Sequence, residues 1–168
     1  MVGRIPKGID PELLYLTGAI VTWCGRIEGV LVHCLISIRQ HEAFKAMARK
    51  EKFPIAAQQL MKQWAEGGRL ILAQDLKLVA KINHLEKELL DLALDRNVLV
   101  HGFWPYGGDP DGGALRLATI RPAKGDQLQL GSYKIDLERL DSINERAIAL
   151  FHQLMPMVFR FTALAQRR

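Results

Sequence analysis

The chain begins with a long apolar segment that carries the signals of a helix start. Asp10 is a favourable N-cap residue, and Pro11 suits the first helical position because that position needs no backbone N–H bond. Apolar residues continue to Ile38, and charged residues follow from Arg39. The pattern predicts one helix over residues 11 to about 40.

Three glycines lie inside this predicted helix, at positions 18, 25 and 29, where glycine is unfavourable. Gly25 and Gly29 are four positions apart, so they share one helix face, on which another backbone can approach closely. Core packing is the expected reason for these small residues.

The middle of the chain predicts a less regular connection and a short helix. Residues 39–53 mix charged and apolar positions, which is typical of a helix end or a mobile connection. Pro54 begins a predicted helix to about Glu66, and the pair Gly67-Gly68 is expected to end it.

The strongest periodic signal covers residues 69–101, where apolar positions recur alternately three and four residues apart. This spacing predicts a long helix, which Gly102 and Pro105 are expected to close. Asp75 and Arg96 occupy positions of the stripe where an apolar residue is expected. The apolar members of the stripe are Ile71, Leu78, Ile82, Leu85, Leu89, Leu92 and Leu99.

The last third of the chain predicts two strands and a final helix. Residues 105–113 have the composition of a loop, and residues 115–121 and 128–136 alternate as strands do, with turn chemistry between them. Asp136 is a suitable N-cap for a helix from 137 to about 165, which Pro156 is expected to kink. The predicted fold is mainly α: an antiparallel bundle of about four helices, with a β-hairpin at about 114–136 inserted before the last helix. We expect a single domain over residues 1–168.

Composition excludes several classes of protein. The 168 residues are 49% hydrophobic and 24% charged, which excludes a disordered or low-complexity chain. The net charge of +5 is compatible with a phosphate-bearing partner. Cys24 and Cys34 are too few for a four-cysteine zinc site, and ten positions along one helix, about 15 Å, is too far for a disulfide. We therefore expect a reduced, cytoplasmic location, with no metal and no cofactor.

No membrane segment is expected from the sequence. The longest apolar stretch, from Leu13 to Gly25, has 13 residues, whereas a bilayer core requires about 20. Asp10 and Glu12 precede this stretch, so a signal peptide is not expected either.

The candidate chemistry lies at the end of the periodic helix. Arg96 needs a carboxylate, phosphate or carbonyl partner, but its neighbours four positions away are Leu92 and Val100, so no ion pair is available there. His101 lies five positions after Arg96, about 140° around the helix, so the two residues do not share one face. Two copies related by a twofold axis would bring both residue types to one cleft.

The segment from Arg96 to His101, RNVLVH, followed by Gly102, resembles the Arg-x4-His signature of the HEPN superfamily (higher eukaryotes and prokaryotes nucleotide-binding domains). Trp23 to Glu28, WCGRIE, looks like the first-helix pattern of some HEPN-like proteins. The resemblance implies a helical bundle and a metal-independent endoribonuclease that acts as a homodimer. The implied products carry a 2′,3′-cyclic phosphate and a 5′-hydroxyl.

The resemblance also implies roles for the residues of the motif. His101 is the expected general acid or base at the ribose 2′-hydroxyl, and Arg96 the expected phosphate ligand. Asn97 is expected to orient His101 or to bind a phosphate oxygen, and Glu28 to hold Arg96 or His101 in place.

Three further residues are candidates for contact with RNA. Trp104 is suited to stacking on a base, although aromatic residues after a helix commonly pack against the bundle. Lys50 and Lys52 belong to a basic cluster, which is either an RNA contact or a solvated surface.

Three readings of function stay open at this point. The first is a HEPN-like ribonuclease homodimer, acting as a toxin or antiphage effector, with any antitoxin on a separate protein chain. The second is a non-catalytic HEPN-like module for dimerisation or for binding RNA or nucleotides. The third is a generic helical bundle in which Arg96 is purely structural.

Overall fold

The computed structural model describes residues 10–48, 53–54, 56–101, 114–122 and 128–166, and this part of the chain is mainly helical. It contains five helices and two strands. The helices are α1 (Pro11–Gln40), α2 (Glu42–Ala48), α3 (Ala57–Ile71), α4 (Leu76–His101) and α5 (Leu137–Gln166). The strands are β1 (Ala114–Pro122) and β2 (Leu128–Asp136).

The two strands pair antiparallel, with Ala114 opposite Asp136 and Pro122 opposite Leu128. The connection between them, residues 123–127, lies outside the described residues, and so does the loop expected at 105–113. The complete β-hairpin therefore stays a prediction.

The sequence signals at the starts of α1 and α5 are confirmed. Asp10 Oδ1 accepts a hydrogen bond of 2.9 Å from the backbone N–H of Glu12. Asp136 Oδ1 accepts one of 2.9 Å from the backbone N–H of Arg139. These carboxylates accept hydrogen bonds from N–H groups that have no partner within the helix. The starts of both helices could therefore be predicted from the sequence.

The boundary between α3 and α4 differs from the expectation. We expected Gly67-Gly68 to end one helix and the next to begin at residue 69, but α3 continues through the glycines and α4 begins at Leu76. Asp75, which interrupts the apolar stripe, accepts a hydrogen bond of 3.1 Å from the backbone N–H of Leu78. Asp75 is therefore a helix cap rather than a polar residue within a helix face.

Tight packing explains why the helix continues through the glycine pair. A Cβ on Gly67 would meet the side chains of Ile38 and Phe44. A Cβ on Gly68 would lie 2.8 Å from Cδ1 of Ile82 and 3.2 Å from Cζ of Phe161. The absence of a side chain lets other helices approach the α3 backbone, and this packing outweighs the weak helix propensity of glycine.

The glycines of α1 have the opposite environment. Among the described residues, no atom outside the local helix backbone lies within 4 Å of a Cβ placed on Gly18, Gly25 or Gly29. The expectation that core packing explains Gly25 and Gly29 is wrong, because the described residues leave this helix face open.

The chain divides into two compact units, described separately here. The first comprises Met1–Thr22 and Leu94–Arg146, and the second Trp23–Ala93 and Ala147–Arg168. Buried apolar residues of the first unit are Leu13, Leu16, Ile20, Leu99, Ile135, Leu140 and Ile143. The largest fully buried side chains of the second are Trp64, Phe44 and Phe161, with Ile27, Leu31, Leu35, Ile38, Ile82, Leu85 and Leu89. The single domain over residues 1–168 stays a prediction.

Two of the described helices, α1 and α5, are long and apolar enough to cross a membrane by length and composition alone. Core helices of water-soluble proteins pass the same test, as do signal sequences near an N-terminus. The expectations of a cytoplasmic location and of no membrane contact therefore stay predictions.

Both cysteines are free thiols, as their spacing along α1 predicts, and both are buried. The side chain of Cys34 is completely shielded from solvent. Burial raises the pKa of the Cys34 thiol from 9.0 to about 12. Cys34 is therefore a packing residue and not a reactive thiol.

This raised pKa predicts a loss of stability at high pH. Between pH 9 and about 12 the folded chain keeps the Cys34 proton while the unfolded chain releases it, so the free energy of unfolding should fall as pH rises. Below pH 9 both states hold the proton and the effect should vanish. Urea unfolding at pH 8 and pH 10.5 measures the change, and the fall should be smaller in Cys34→Ala. Equal falls in the two proteins would contradict the assignment.

Candidate functional site

The last two turns of α4, in the first unit, present the residues of the motif. Leu92 and Leu99 of the apolar stripe are 1% and 2% exposed, and half-buried Arg96 lies between them on the same side of the helix. His101 is exposed in the final turn. Because five residues rotate the helix by about 140° beyond a full turn, the two side chains leave α4 in different directions. The helical course of α4 through His101 is confirmed, and the separation of the two faces stays the prediction drawn from it.

Arg96 is held by its neighbour in the sequence. Its Nη1 donates a hydrogen bond of 3.2 Å to Oδ1 of Asn97. Its Nε is buried and has no partner in the described part of the chain. A guanidinium has five N–H donors, so most of the donor capacity of Arg96 is left for a ligand or for water.

Asn97 therefore acts on Arg96 in this structure. Its side-chain oxygen accepts the Arg96 bond, which restricts the rotation of the guanidinium. The roles that the resemblance implies for Asn97, orienting His101 or binding a phosphate oxygen, stay predictions.

An ion-pair cluster that sequence reasoning missed lies beside Arg96. The carboxylate of Asp95 on α4 pairs with Arg146 Nη2 and lies 3.4 Å from Arg139 Nη2, both on α5. The side chains of Asp95 and Arg146 are 23% and 28% exposed, so solvent screens their pair only in part. Nε of Arg146 is buried without a partner among the described residues.

This cluster, Asp95 with Arg139 and Arg146, ties the end of α4 to the start of α5 within the first unit. The pairs join residues 44 and 51 positions apart in the chain, so no local spacing reveals them. The cluster fixes the helix turn from which Arg96 projects. It also holds two guanidinium groups at Asp95, the residue directly before Arg96 in the chain.

The other predicted site residues lie either in the second unit or outside the described residues. Glu28 is half-buried on α1 in the second unit, and it makes no hydrogen bond or ion pair within the described ranges. Its support of Arg96 or His101 stays a prediction. Trp104, Lys50 and Lys52 lie outside the described residues.

A pocket of about 300 Å³ in the first unit is chemically different from the motif. Its lining consists of Glu12, Leu16, Leu137, Glu138 and Asp141. Three carboxylates make it unfavourable for a phosphate group because like charges repel. The described residues also contain no group of three or more His, Cys, Asp or Glu side chains suited to hold a metal ion.

Comparison of the chain with protein-family models, with curated proteins and with solved structures finds no match. The residues of α4 and their chemistry are therefore the basis for inferring the function.

Proposed function

We propose that this protein is a HEPN-like, metal-independent endoribonuclease that works as a homodimer. An antiparallel HEPN-type bundle, with a β-hairpin inserted before the last helix, is part of the proposal. The observation that carries it is the end of α4, where Arg96 lies half-buried beside Asn97 and His101 is exposed. Together they offer a held guanidinium and an accessible imidazole, the two groups that metal-free RNA cleavage needs.

In the proposed reaction the ribose 2′-oxygen attacks the adjacent phosphorus and the 5′-oxygen of the next nucleotide leaves. At each of two equivalent sites, His101 of one copy takes the proton of the 2′-hydroxyl as general base, and the leaving 5′-oxygen takes its proton from water. The products are a 2′,3′-cyclic phosphate and a 5′-hydroxyl. Arg96 binds the phosphate oxygens and stabilises the additional negative charge of the transition state.

The geometry of one helix supports the homodimer. Within one chain, Arg96 and His101 project about 140° apart around α4, so they cannot face a single phosphate as a pair on a regular helix. A twofold axis beside the end of α4 would place Arg96 of one copy opposite His101 of the other. We place the ribonuclease in the cytoplasm as a toxin or antiphage effector, restrained by a separate antitoxin protein.

The first experiment measures cleavage of a broad RNA panel in EDTA by the wild type, Arg96→Ala and Arg96→Lys. Wild type should cleave and leave 2′,3′-cyclic phosphate ends, which end-group analysis detects. Arg96→Ala should lose about 10²–10³-fold in rate, the usual effect of removing one donor to a transition-state oxyanion. Arg96→Lys should recover only part of the rate, because an ammonium group lacks the forked geometry of guanidinium.

Circular dichroism and sedimentation of each variant serve as the controls on folding and self-association. Cleavage that EDTA abolishes, or that both folded Arg96 variants retain in full, would contradict the proposed mechanism.

The second candidate is a non-catalytic HEPN-like module for dimerisation or for binding RNA or nucleotides. The Arg96–Asn97 hydrogen bond favours it, because it gives the guanidinium a partner without any ligand. A wild type that binds RNA, and more weakly as salt increases, but cleaves none of the panel would support this function.

A further inference from the structure

The outward face of α1 in the second unit is open. Gly25 and Gly29 are exposed there, with no atom within 4 Å of an added Cβ outside the local helix backbone, and the side chain of Ile36 is 44% exposed. Glycine is disfavoured within helices, and no packing among the described residues accounts for it at these two positions. A second backbone lying against this face would account for both, because only glycine allows the closest approach.

Two opposite charges flank this face. At about 100° per residue, Arg26 projects about 80° to one side of the midline between Gly25 and Gly29, and Glu28 about 80° to the other. The guanidinium of Arg26 is stacked over the Trp23 ring, 4.6 Å from its centroid, so it is already ordered. Within the described ranges neither Arg26 nor Glu28 has a hydrogen bond or ion pair.

We propose that this face binds the same face of a second copy, with the two α1 helices parallel about a twofold axis. A twofold axis along the helices sets the Arg26 flank of each copy against the Glu28 flank of the other, which forms two equivalent ion pairs. An antiparallel pair would instead set Arg26 against Arg26 and Glu28 against Glu28. The charge pattern is therefore complementary to itself in the parallel direction, which is the argument for a second copy as the occupant.

The other charged groups near this face do not compete with the pairing. Arg39, on the Glu28 flank, donates to Gln63 Oε1 at 3.4 Å and lies 5.7 Å from the centroid of the Phe53 ring. His33, on the Arg26 flank, is exposed and lies about two turns from Arg26. Arg26 and Glu28 are thus the groups placed to decide the register.

Charge reversal in the 168-residue chain tests the proposal, with sedimentation equilibrium as the readout. Wild type should self-associate, and Arg26→Glu or Glu28→Arg alone should raise the dimer dissociation constant at least about tenfold, because each creates two like-charge contacts. An equimolar mixture of the two variants should associate again, since the reversed charge of each variant then meets an opposite charge on the other.

The double variant R26E/E28R should also recover association. Lys62→Glu, a reversal on the exposed surface of α3, should have no effect.

Three outcomes would overturn the proposal: a monomeric wild type, single reversals without effect, or no recovery in the mixture. Gly29→Leu provides an independent check, and it should raise the dimer dissociation constant without unfolding the chain. The new side chain enters open space in the monomer but blocks the close approach of a second helix.

This inference shares with the proposed function only the expectation of a homodimer, and the two can fail separately. RNA cleavage by a chain whose association ignores these reversals rejects the α1 face and leaves the ribonuclease standing. If the mixed variants associate again but the chain cleaves no RNA, the α1 face is supported and the ribonuclease proposal is rejected.

Discussion

Replacing His101 with alanine is expected to slow RNA cleavage by about 10²–10⁴-fold, the usual contribution of one general acid or base. The free energy of unfolding should change by less than about 0.5 kcal/mol, since His101 is an exposed residue in the last turn of α4. Cleavage rates and urea unfolding curves from one preparation separate the chemical effect from any structural one.

His84→Ala is the matched control for this variant. His84 is also an exposed histidine on α4, but it lies 17 positions before His101, so its loss should leave both cleavage and stability unchanged. If His101→Ala and His84→Ala cleave equally fast, His101 has no catalytic role and the ribonuclease assignment must be abandoned.

Mixing the inactive variants tests whether the site is shared between two copies. When Arg96→Ala and His101→Ala chains exchange freely, half of the dimers are mixed, and each has one intact site if Arg96 and His101 come from different copies. About a quarter of the wild-type rate should then return, since each C2 dimer has two equivalent sites. No recovery would mean that both residues act from the same chain, contrary to the geometry of α4.

The second large effect is expected in the core of the second unit, at Gly67. Gly67→Ala should lower the free energy of unfolding by about 1–3 kcal/mol, because its Cβ overlaps the buried side chain of Ile38 and presses on the Phe44 ring. The gain in helix propensity, about 1 kcal/mol, is too small to offset the overlap. Urea or thermal unfolding of the variant gives the magnitude.

Gly18→Ala is the same chemical change with the opposite expected sign. Its new Cβ meets no atom within 4 Å outside the local helix backbone, so only the propensity term applies and stability should rise by about 1 kcal/mol. If both variants shift the free energy of unfolding in the same direction, the packing difference between α1 and α3 does not determine the effect of these substitutions.

Local chemistry made much of the secondary structure predictable. The starts of α1 and α5 depend on Asp10 and Asp136, whose carboxylates bind backbone N–H groups two or three residues later. Such contacts lie within one helix turn, so the sequence contains all of their information. The apolar stripe of α4 likewise predicted which residues are buried, from Ile82 to Leu99.

The glycines show where local chemistry is insufficient. Propensity suggested that Gly67-Gly68 ends a helix and that Gly25 and Gly29 pack in the core, and both expectations were wrong. Whether a glycine ends a helix, admits a neighbour or lies open to solvent depends on what packs against it. That neighbour comes from a distant part of the chain, as Ile38 does for Gly67.

Some features of the candidate site could likewise be predicted from local sequence, and others could not. Helix periodicity was enough to predict that Arg96 interrupts an apolar stripe and that His101 projects from another side of the same helix. The pairing of Asp95 with Arg139 and Arg146 became visible only in the folded chain, because those arginines reach Asp95 from a helix more than 40 residues later. Neighbouring residues determine helix geometry, whereas an ion pair between two helices forms only when the chain has folded and brought the helices together.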